Sequence, residues 1–222
     1  MNIVCVLKSG GWKNRHMNVL YGAEHVQWLA QQVAQHVTIP HRFVCMSDVE
    51  VPGVEVLPLL DNWPGWWSKL EMFREFGQAF YLDLDTVVVD NIDKMLQHEH
   101  TFTVLRNLSA RHGNRIGSGL MAWKGDYSHL YKTFKASAKT FMAQCTTSDN
   151  WGDQGFIERA QLKRDYFQDL FPESVVSYKF GIKDGKLNPG NRIVCFHGEP
   201  RPWQVKHSWV PPMSNSNGTR TG

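Results

Sequence analysis

The stretch Phe80–Asp90, FYLDLDTVVVD, decides the predicted fold and contains the first candidate site. Apolar residues fill it except in the middle, where Asp83 and Asp85 stand one residue apart. Side chains two positions apart on a strand point to the same face, so two anions would lie side by side and lose hydration. Such a pair is costly unless a cation neutralises it. The stretch therefore predicts a buried strand that ends in a metal or ligand site.

Alternating strand and helix patterns around this stretch predict an α/β fold. The candidate strands are Asn2–Leu7, Arg42–Met46, Val54–Leu57, Thr101–Leu105, Gly119–Trp123 and Arg192–Phe196. The candidate helices are Met17–Val37, Trp67–Phe76, one capped by Asp126 and one that begins near Asp153. This alternation predicts a mixed, mostly parallel central sheet flanked by helices.

Composition and charge are those of an ordinary globular protein. A formal net charge of +3 over 222 residues is too small to indicate nucleic acid as the main partner. We expect one domain over residues 1–211, followed by a disordered tail, 212–222, rich in Ser, Asn, Gly and Thr.

Membrane and secretion signals are not recognisable in the sequence. No segment approaches the ~20 apolar residues that a membrane span needs, and the first residues lack the charged region of a signal peptide. The four cysteines are widely spaced and form no C-x-x-C pair. This usage favours a reduced, cytoplasmic environment and argues against a zinc or redox site.

The paired carboxylates suggest a particular metal. Ligation by oxygen alone selects Mg²⁺ or Mn²⁺ over zinc. His197 follows the apolar run Ile193–Phe196 and would project from the same edge of a sheet, and an imidazole ligand shifts the preference toward Mn²⁺. The alternatives are that Asp83 or Asp85 only caps a turn and that His197 is a structural or surface histidine.

Several motifs taken together resemble one enzyme family. YLDLDTVVVDNID, from Tyr81, and the distant CFHGEPRPW, from Cys195, are similar to the sequence pattern of the retaining, GT-A-fold glycosyltransferases of family 8, which includes glycogenin and bacterial lipooligosaccharide galactosyltransferases. WWSKLEMF, NRIGSGLMAWKGD and WGDQGFI also resemble segments of this family, in the same order. The resemblance extends from about residue 60 to 203 and implies a Rossmann-like GT-A fold.

The resemblance also implies roles for individual residues. Asp83, Asp85 and His197 would ligate Mn²⁺, or Mg²⁺, which bridges the diphosphate of a nucleotide sugar, with a UDP-sugar as the expected donor. Asp153 would hydrogen-bond the hydroxyls of the donor sugar. Gln154 would lie near the anomeric carbon and steady an oxocarbenium-like centre, while retention would follow from front-side attack assisted by the leaving phosphate.

The remaining family motifs imply further donor contacts. Lys69 would approach the phosphate or sugar, Arg201 would stabilise the charge on the leaving diphosphate, and Gly198 would allow close approach of the backbone. The wall beside the donor sugar would be formed by Gly117, Ser118 and Gly119.

Each of these residues also has a structural interpretation. Asp153 could be the N-cap of a helix, Lys69 could be a solvated helix residue, and Gly117 and Gly119 could mark only a turn into a strand. The functional interpretation depends on the conjunction of all the motifs.

The sequence therefore predicts a metal-dependent enzyme that transfers a sugar from a nucleotide sugar to an acceptor hydroxyl. The acceptor could be lipopolysaccharide, another glycan, a protein side chain or, with less support, a hydroxymethylated base of phage DNA. Two rival functions are a non-catalytic metal- or sugar-binding module and a nucleotidyltransferase, which also uses paired aspartates with a divalent metal.

Overall fold

The computed structural model describes residues 1–10, 21–108, 113 and 115–213. Its strands are β1 (Asn2–Leu7), β2 (Arg42–Ser47), β3 (Glu55–Pro58), β4 (Gln78–Leu82), β5 (Thr86–Val88), β6 (Phe102–Arg106), β7 (Ile116–Lys124), β8 (Thr146–Thr147), β9 (Asn150–Trp151), β10 (Asp165–Tyr166), β11 (Val175–Ser177) and β12 (Ile193–Cys195). Its helices are α1 (Ala23–His36), α2 (Met72–Glu75), α3 (Asp93–Gln97), α4 (Ser128–Ala136), α5 (Ala138–Gln144), α6 (Gly152–Arg159), α7 (Phe167–Leu170) and α8 (Tyr178–Gly181), with 3₁₀ helices at Gly65–Glu71 and Pro202–Gln204.

Within the described residues, seven strands form a central mixed sheet in the order β10-β6-β7-β4-β1-β2-β3. Strands β4, β1, β2 and β3 run parallel to one another, whereas β7 runs antiparallel to both β4 and β6. Alternate residues of β1 enter two different hydrophobic cores, Ile3 and Cys5 facing α1 and Val4 facing the aromatic cluster around Trp67 and Phe73. Both faces of the sheet are therefore covered, and the prediction of a mostly parallel sheet flanked by helices is confirmed.

The predicted strand over residues 80–90 is divided in two, which corrects the sequence-based expectation. The chain leaves β4 after Leu82, turns through Asp83–Asp85 and continues as β5 in a separate three-stranded sheet of order β11-β12-β5. The amide of Thr86 donates to the carbonyl of Asp83 over 3.1 Å and closes this turn. The two carboxylates therefore do not lie side by side on one strand face, because the chain turns where they would have met in a buried strand.

The second sheet explains how His197 approaches these carboxylates. Strand β12 pairs antiparallel with β5, and Cys195 lies opposite Thr86. Because antiparallel neighbours run in opposite directions, the chain leaving β12 at His197 passes the same end at which Asp83–Asp85 enters β5. The expectation that His197 leaves a sheet edge near the paired aspartates agrees with this register.

Three predicted helices differ from those observed. The part of the first over residues 17–20 lies outside the described residues, and α1 begins at Ala23. The predicted helix 67–76 is a 3₁₀ helix followed by α2, consistent with the i, i+3 spacing of Leu70 and Phe73. The helix after Asp126 is interrupted at Ser137, and Asp126 precedes its N-cap, accepting the amide of Ser128 over 2.8 Å.

Three further predictions concern the cysteines, membrane spans and the tail. Cys5, Cys45 and Cys195 are buried, as their apolar surroundings in the sequence indicate, and so is Cys145; all four are free. None of the helices in the described ranges is both long and apolar enough to cross a lipid bilayer. Residues 214–222 of the predicted tail lie outside the described residues.

Candidate active site

A cavity of about 400 Å³ lies where β1 and β4 end and where β7 and α6 begin. In α/β folds this edge, beyond the carboxyl ends of the parallel strands, is the usual place for a ligand. The structure brings all eleven predicted site residues to the wall of this cavity: Lys69, Asp83, Asp85, Gly117, Ser118, Gly119, Asp153, Gln154, His197, Gly198 and Arg201.

Lys69 lies between two carboxylates inside the cavity. Its Nζ is 3.2 Å from Oδ1 of Asp83 and 3.0 Å from Oδ2 of Asp153, and the residue is only 6% exposed. Burial alone would lower the pKa of Lys69, but the two carboxylates outweigh it and raise that pKa above its usual value. Lys69 is therefore a buried cation, and the interpretation as a solvated helix residue is wrong.

Asp153 is positioned by α6 but does not cap it. The N-cap is Trp151, and Asp153 lies in the first turn with 4% of its surface exposed. Burial raises the pKa of Asp153, and Lys69 opposes this shift. The capping interpretation is therefore wrong in detail. Gln154, the next residue, is half-buried and lines the cavity.

Tyr81 supports Asp83 and was not predicted as a site residue. Its hydroxyl donates to Oδ1 of Asp83, and burial together with this carboxylate raises the pKa of Tyr81. Tyr81 is two positions before Asp83, so the period of a strand could have identified it as a neighbour on the same face.

Asp85 and Arg201 form a buried ion pair. Nη1 of Arg201 donates to Oδ2 of Asp85, and the residues are 4% and 6% exposed, respectively. The hydroxyl of Tyr21 donates to the same carboxylate over 3.2 Å and accepts from Arg201 over 3.0 Å. Burial, and then repulsion by Asp83, raise the pKa of Asp85 to about 6. In this structure Arg201 contacts Asp85, whereas the sequence had assigned it to a phosphate.

His197 is held by a side chain that the sequence did not single out. Its Nε2 lies 2.8 Å from Oγ of Ser177, which also accepts the backbone amide of Phe180 and caps α8. Burial, Lys179 and Arg201 lower the pKa of His197. The imidazole is therefore neutral at neutral pH, the form in which histidine binds metals.

Two glycines are required by the geometry of the cavity. A Cβ on Gly119 would lie 3.0 Å from Oδ2 of Asp83, so a side chain there would displace this carboxylate. Gly198 has a φ of +67°, a conformation that residues with a Cβ rarely adopt. At Gly117 a Cβ would lie 3.2 Å from the Cβ of Leu105, which also favours a small residue.

Aromatic residues complete the walls. Trp66 and Trp151 line the cavity with their ring centroids 6.0 Å apart. Trp203, after the Arg201 loop, packs against Tyr21 and against His25 at 4.5 Å between centroids. The loop that carries Arg201 is thereby anchored to the start of α1.

The net charge of the side chains around the cavity is negative, which suits a divalent cation. Three carboxylates, those of Asp83, Asp85 and Asp153, face two cations, Lys69 and Arg201, which leaves one negative charge when all are ionised. Burial is the main cause of the raised pKa of Asp85, and repulsion by Asp83 adds to it. Among the described residues, however, no three His, Cys, Asp or Glu side chains form a metal-binding group. A cation would therefore compete with Lys69 and Arg201 for these carboxylates.

Comparison with known proteins gives matches in structure only. No protein-family model matches the chain, and no match was found among curated proteins. The glycosyltransferase GlyE of Streptococcus pneumoniae TIGR4 matches with a TM-score of 0.63 and 13% identity, over 93% of this chain and 56% of GlyE. The galactosyltransferase LgtC, solved with donor and acceptor sugar analogs, matches with a TM-score of 0.62 and 13% identity, over 91% of this chain and 89% of LgtC.

A third similar structure is the bifunctional glycosyltransferase WbbM, with a TM-score of 0.57 and 11% identity over 90% of this chain and 46% of WbbM. The chain thus spans about half the length of GlyE and WbbM and most of LgtC. At these identities the likeness shows the fold and not the activity. The GT-A fold predicted from the sequence is confirmed, because the chain shares the fold of these glycosyltransferases.

Proposed function

We propose that this protein is a glycosyltransferase that moves a sugar from a nucleotide-diphosphate sugar, a UDP-sugar, to an acceptor hydroxyl with a divalent metal and with retention of configuration. The observation that carries the proposal is a group of three carboxylates and two buried cations in one cavity at the carboxyl ends of β1 and β4. Asp85 and Asp153 are buried, and Asp83 is half-buried. In a GT-A fold this is where a nucleotide sugar would place its diphosphate.

Asp83 and Asp85 would hold the metal, Mn²⁺ or Mg²⁺, with His197 as the third ligand. A metal-binding histidine usually donates its other ring N–H to an oxygen, and Oγ of Ser177 is in place to accept it from Nε2. When bound, the cation supplies charge neutralisation for the diphosphate leaving group.

The charge balance supports binding of a diphosphate. The buried group carries one net negative charge, and a divalent cation would change it to one net positive charge. Lys8, another cation on the cavity wall, is already paired with Asp48 and adds little. Without the divalent cation the cavity would repel a nucleotide diphosphate, so we expect donor binding to depend strictly on the metal.

Lys69, Asp153 and Gln154 would act on the sugar. Lys69 orients the carboxylate of Asp153 over 3.0 Å, and Asp153 would hydrogen-bond the sugar hydroxyls. Gln154 would place its amide oxygen near the anomeric carbon, where positive charge develops as the bond to the phosphate breaks. Because an amide is a poor nucleophile, Gln154 is not expected to attack the anomeric carbon. This favours front-side attack, in which the acceptor approaches the face from which the phosphate leaves.

Gly117 and Gly119, with Ser118 between them, would form the wall against the donor. Ser118 is 3% exposed and its Oγ lies 3.4 Å from Nζ of Lys69. Gly119 leaves room for Asp83, and Gly198 in the opposite loop would let the backbone approach the phosphates.

Thermal unfolding tests the donor class directly. The protein would be heated with UDP, other nucleoside diphosphates and their sugars, each with and without Mn²⁺. A ligand at 100 times its dissociation constant stabilises by ~2.7 kcal/mol, which is a readily measured shift. A Mn²⁺-dependent rise in melting temperature with UDP or a UDP-sugar supports the proposal. If no ligand of the panel changes the melting temperature, a non-catalytic binding module is favoured instead.

Analysis of the products distinguishes sugar transfer from nucleotidyl transfer. A glycosyltransferase releases a nucleoside diphosphate, whereas a nucleotidyltransferase releases pyrophosphate. The matched variant is Asp85→Asn, which retains an acceptor for Arg201 but loses the charge that the metal needs. We expect this variant to remain folded with a lower melting temperature, because Arg201 loses the charge that compensates it, and to lose the metal-dependent shift.

A further inference from the structure

A second surface depression, of about 420 Å³, lies at the end of α6 and the beginning of β7. We call it the arginine depression. Its lining residues are Arg115, Glu158, Arg159, Gln161, Leu162 and Arg164. Three guanidinium groups and one carboxylate give this lining a formal charge of +2, which is suited to an anion.

Glu158 fixes the position of Arg164 in the depression. Its Oε1 accepts from Nη2 of Arg164 over 2.5 Å, and its Oε2 accepts from the backbone amide of Ile116 over 2.7 Å. Arg164 also donates through Nε to the hydroxyl of Tyr166 over 3.2 Å, and both side chains of the ion pair are less than 20% exposed. Arg164 is therefore held in one orientation, and little of its side-chain entropy remains to be lost when an anion binds.

Arg115 and Arg159 keep their charge uncompensated. Both are exposed, and no carboxylate in the described ranges forms an ion pair with either of them. Nη1 of Arg159 donates to a neutral amide, Oε1 of Gln144, over 2.6 Å. A guanidinium presents a fork of donors that matches the oxygens of a phosphate group, so these two residues can bind one without first breaking an ion pair.

The arginine depression and the candidate active-site cavity have no lining residue in common, but both lie beside α6 and the beginning of β7. In α6, Gln154 lines the cavity, and Glu158, one turn later on the same face, lines the depression, a rise of ~6 Å. Arg115 stands two residues before Gly117 of the cavity wall. The carbonyl of Arg115 accepts from the amide of Asn107 over 2.7 Å, and Asn107 lines the cavity as well. Residues that line the two sites are therefore neighbours along α6 and along the chain that enters β7.

We propose that the arginine depression binds a phosphate group carried by the acceptor glycan, which orients the acceptor hydroxyl toward Gln154. This inference rests on the proposed sugar transfer, and it names the acceptor class as a phosphorylated glycan. The C-terminal end of α6 opposes an anion through its dipole. The carbonyls of Ile157 and Glu158 there already accept from the amides of Ala160 and Gln161, which reduces that opposition.

The same geometry disfavours a duplex nucleic acid as the ligand. Binding to duplex DNA uses many phosphate contacts spread along the backbone. The arginine depression is a single site, and the whole chain carries a formal charge of only +3. One phosphate group on a glycan matches this arrangement better.

Titration with inorganic phosphate, followed by amide NMR of the metal-free protein, tests the site without any catalysis. We expect shifts at Arg115 and from Arg159 to Leu162, and a dissociation constant about tenfold weaker in each of Arg115→Gln and Arg159→Gln. Lys94→Gln is the matched control, because it removes one exposed charge from α3, and it should bind as the wild type does. Absence of shifts at these amides, or equal affinity in the arginine variants, overturns the proposal.

Transfer assays identify the source of the phosphate. We expect Arg115→Gln and Arg159→Gln to raise KM for a phosphorylated glycan about tenfold more than KM for the same glycan after phosphatase treatment. An equal rise for both glycans overturns the assignment, as does stronger displacement of phosphate by duplex DNA with a steep salt dependence. If nucleotide sugars fail to bind while phosphate still shifts these amides, the sugar-transfer proposal fails and the anion site stands.

Discussion

Asp85 and Arg201, 116 positions apart in the chain, form an ion pair in which both side chains are less than 10% exposed. Loss of one partner leaves the other charge buried without compensation. Such changes typically cost ~3–5 kcal/mol, far more than the loss of an exposed ion pair. The pair therefore joins the loop after β12 to the turn after β4, and it carries both stability and a candidate metal ligand.

We expect Arg201→Ala to lower the free energy of unfolding by ~3–5 kcal/mol in urea denaturation. Arg192→Ala, which breaks the more exposed pair with Asp90, is the control and should cost ~1 kcal/mol or less. Adding Asp85→Asn to Arg201→Ala should recover part of the loss, because it removes the charge left unpaired. Equal costs for the two arginine variants would contradict the buried pair.

The raised pKa of Asp85 predicts a pH dependence of stability in the metal-free protein. With a pKa of about 6 in the folded state and 3.8 as its ordinary value, Asp85 binds its proton more tightly when folded. The folded state therefore holds more protons between about pH 4 and pH 6, so this group lowers the free energy of unfolding as pH rises through that window. The effect is on the order of 3 kcal/mol.

Asp85→Asn isolates this contribution. Urea unfolding of both proteins, in the presence of a chelator, should show a difference that changes between about pH 4 and pH 6 and levels off above it. His197, whose pKa is lowered, acts in the opposite direction near its ordinary pKa, but it is present in both proteins and cancels in the comparison. A difference that does not vary with pH would mean that Asp85 is not destabilised by its surroundings.

Gly119→Ala should disturb the proposed metal site at Asp83 more than the fold. The added Cβ would lie 3.0 Å from Oδ2 of Asp83, which must move away. We expect Mn²⁺-dependent affinity for UDP to fall about tenfold or more, measured by calorimetry, with a smaller loss in melting temperature. Gly77→Ala is the control, because its Cβ would meet only a carbonyl oxygen at 4.0 Å. Equal effects of the two variants on UDP affinity would exclude close packing of Gly119 against a metal ligand.

Gln154→Ala should lower turnover more than donor affinity. Its amide is proposed to act on charge that exists only in the transition state, so kcat should fall by ~10²-fold while the dissociation constant of the donor changes little. Single-turnover kinetics and calorimetry measure the two quantities separately. Equal losses in both would place Gln154 in ground-state binding of the sugar.

The sequence predicted most of the central sheet and eleven residues that line the cavity, but it did not predict Tyr81 or Ser177. The apolar period of Asn2–Leu7 and the helical spacing of Val26, Leu29 and Val33 are local patterns, and β1 and α1 follow them. The GT-A fold could be predicted from motifs whose order along the chain is preserved. For Lys69 the sequence left two interpretations open, a donor contact and a solvated helix residue, because a sequence pattern does not show which charges become buried.

The sequence by itself determined eleven of the residues that line the cavity, because their chemistry and the motifs that contain them are local. Only the tertiary structure decided how their charges are matched: Lys69 between Asp83 and Asp153, Arg201 on Asp85, and Ser177 on His197. It also decided that the Asp83–Asp85 segment is a turn between two sheets. The physical reason is that partners far apart in the chain are chosen by burial, since a charge removed from water must find its compensation among whatever side chains the fold brings near.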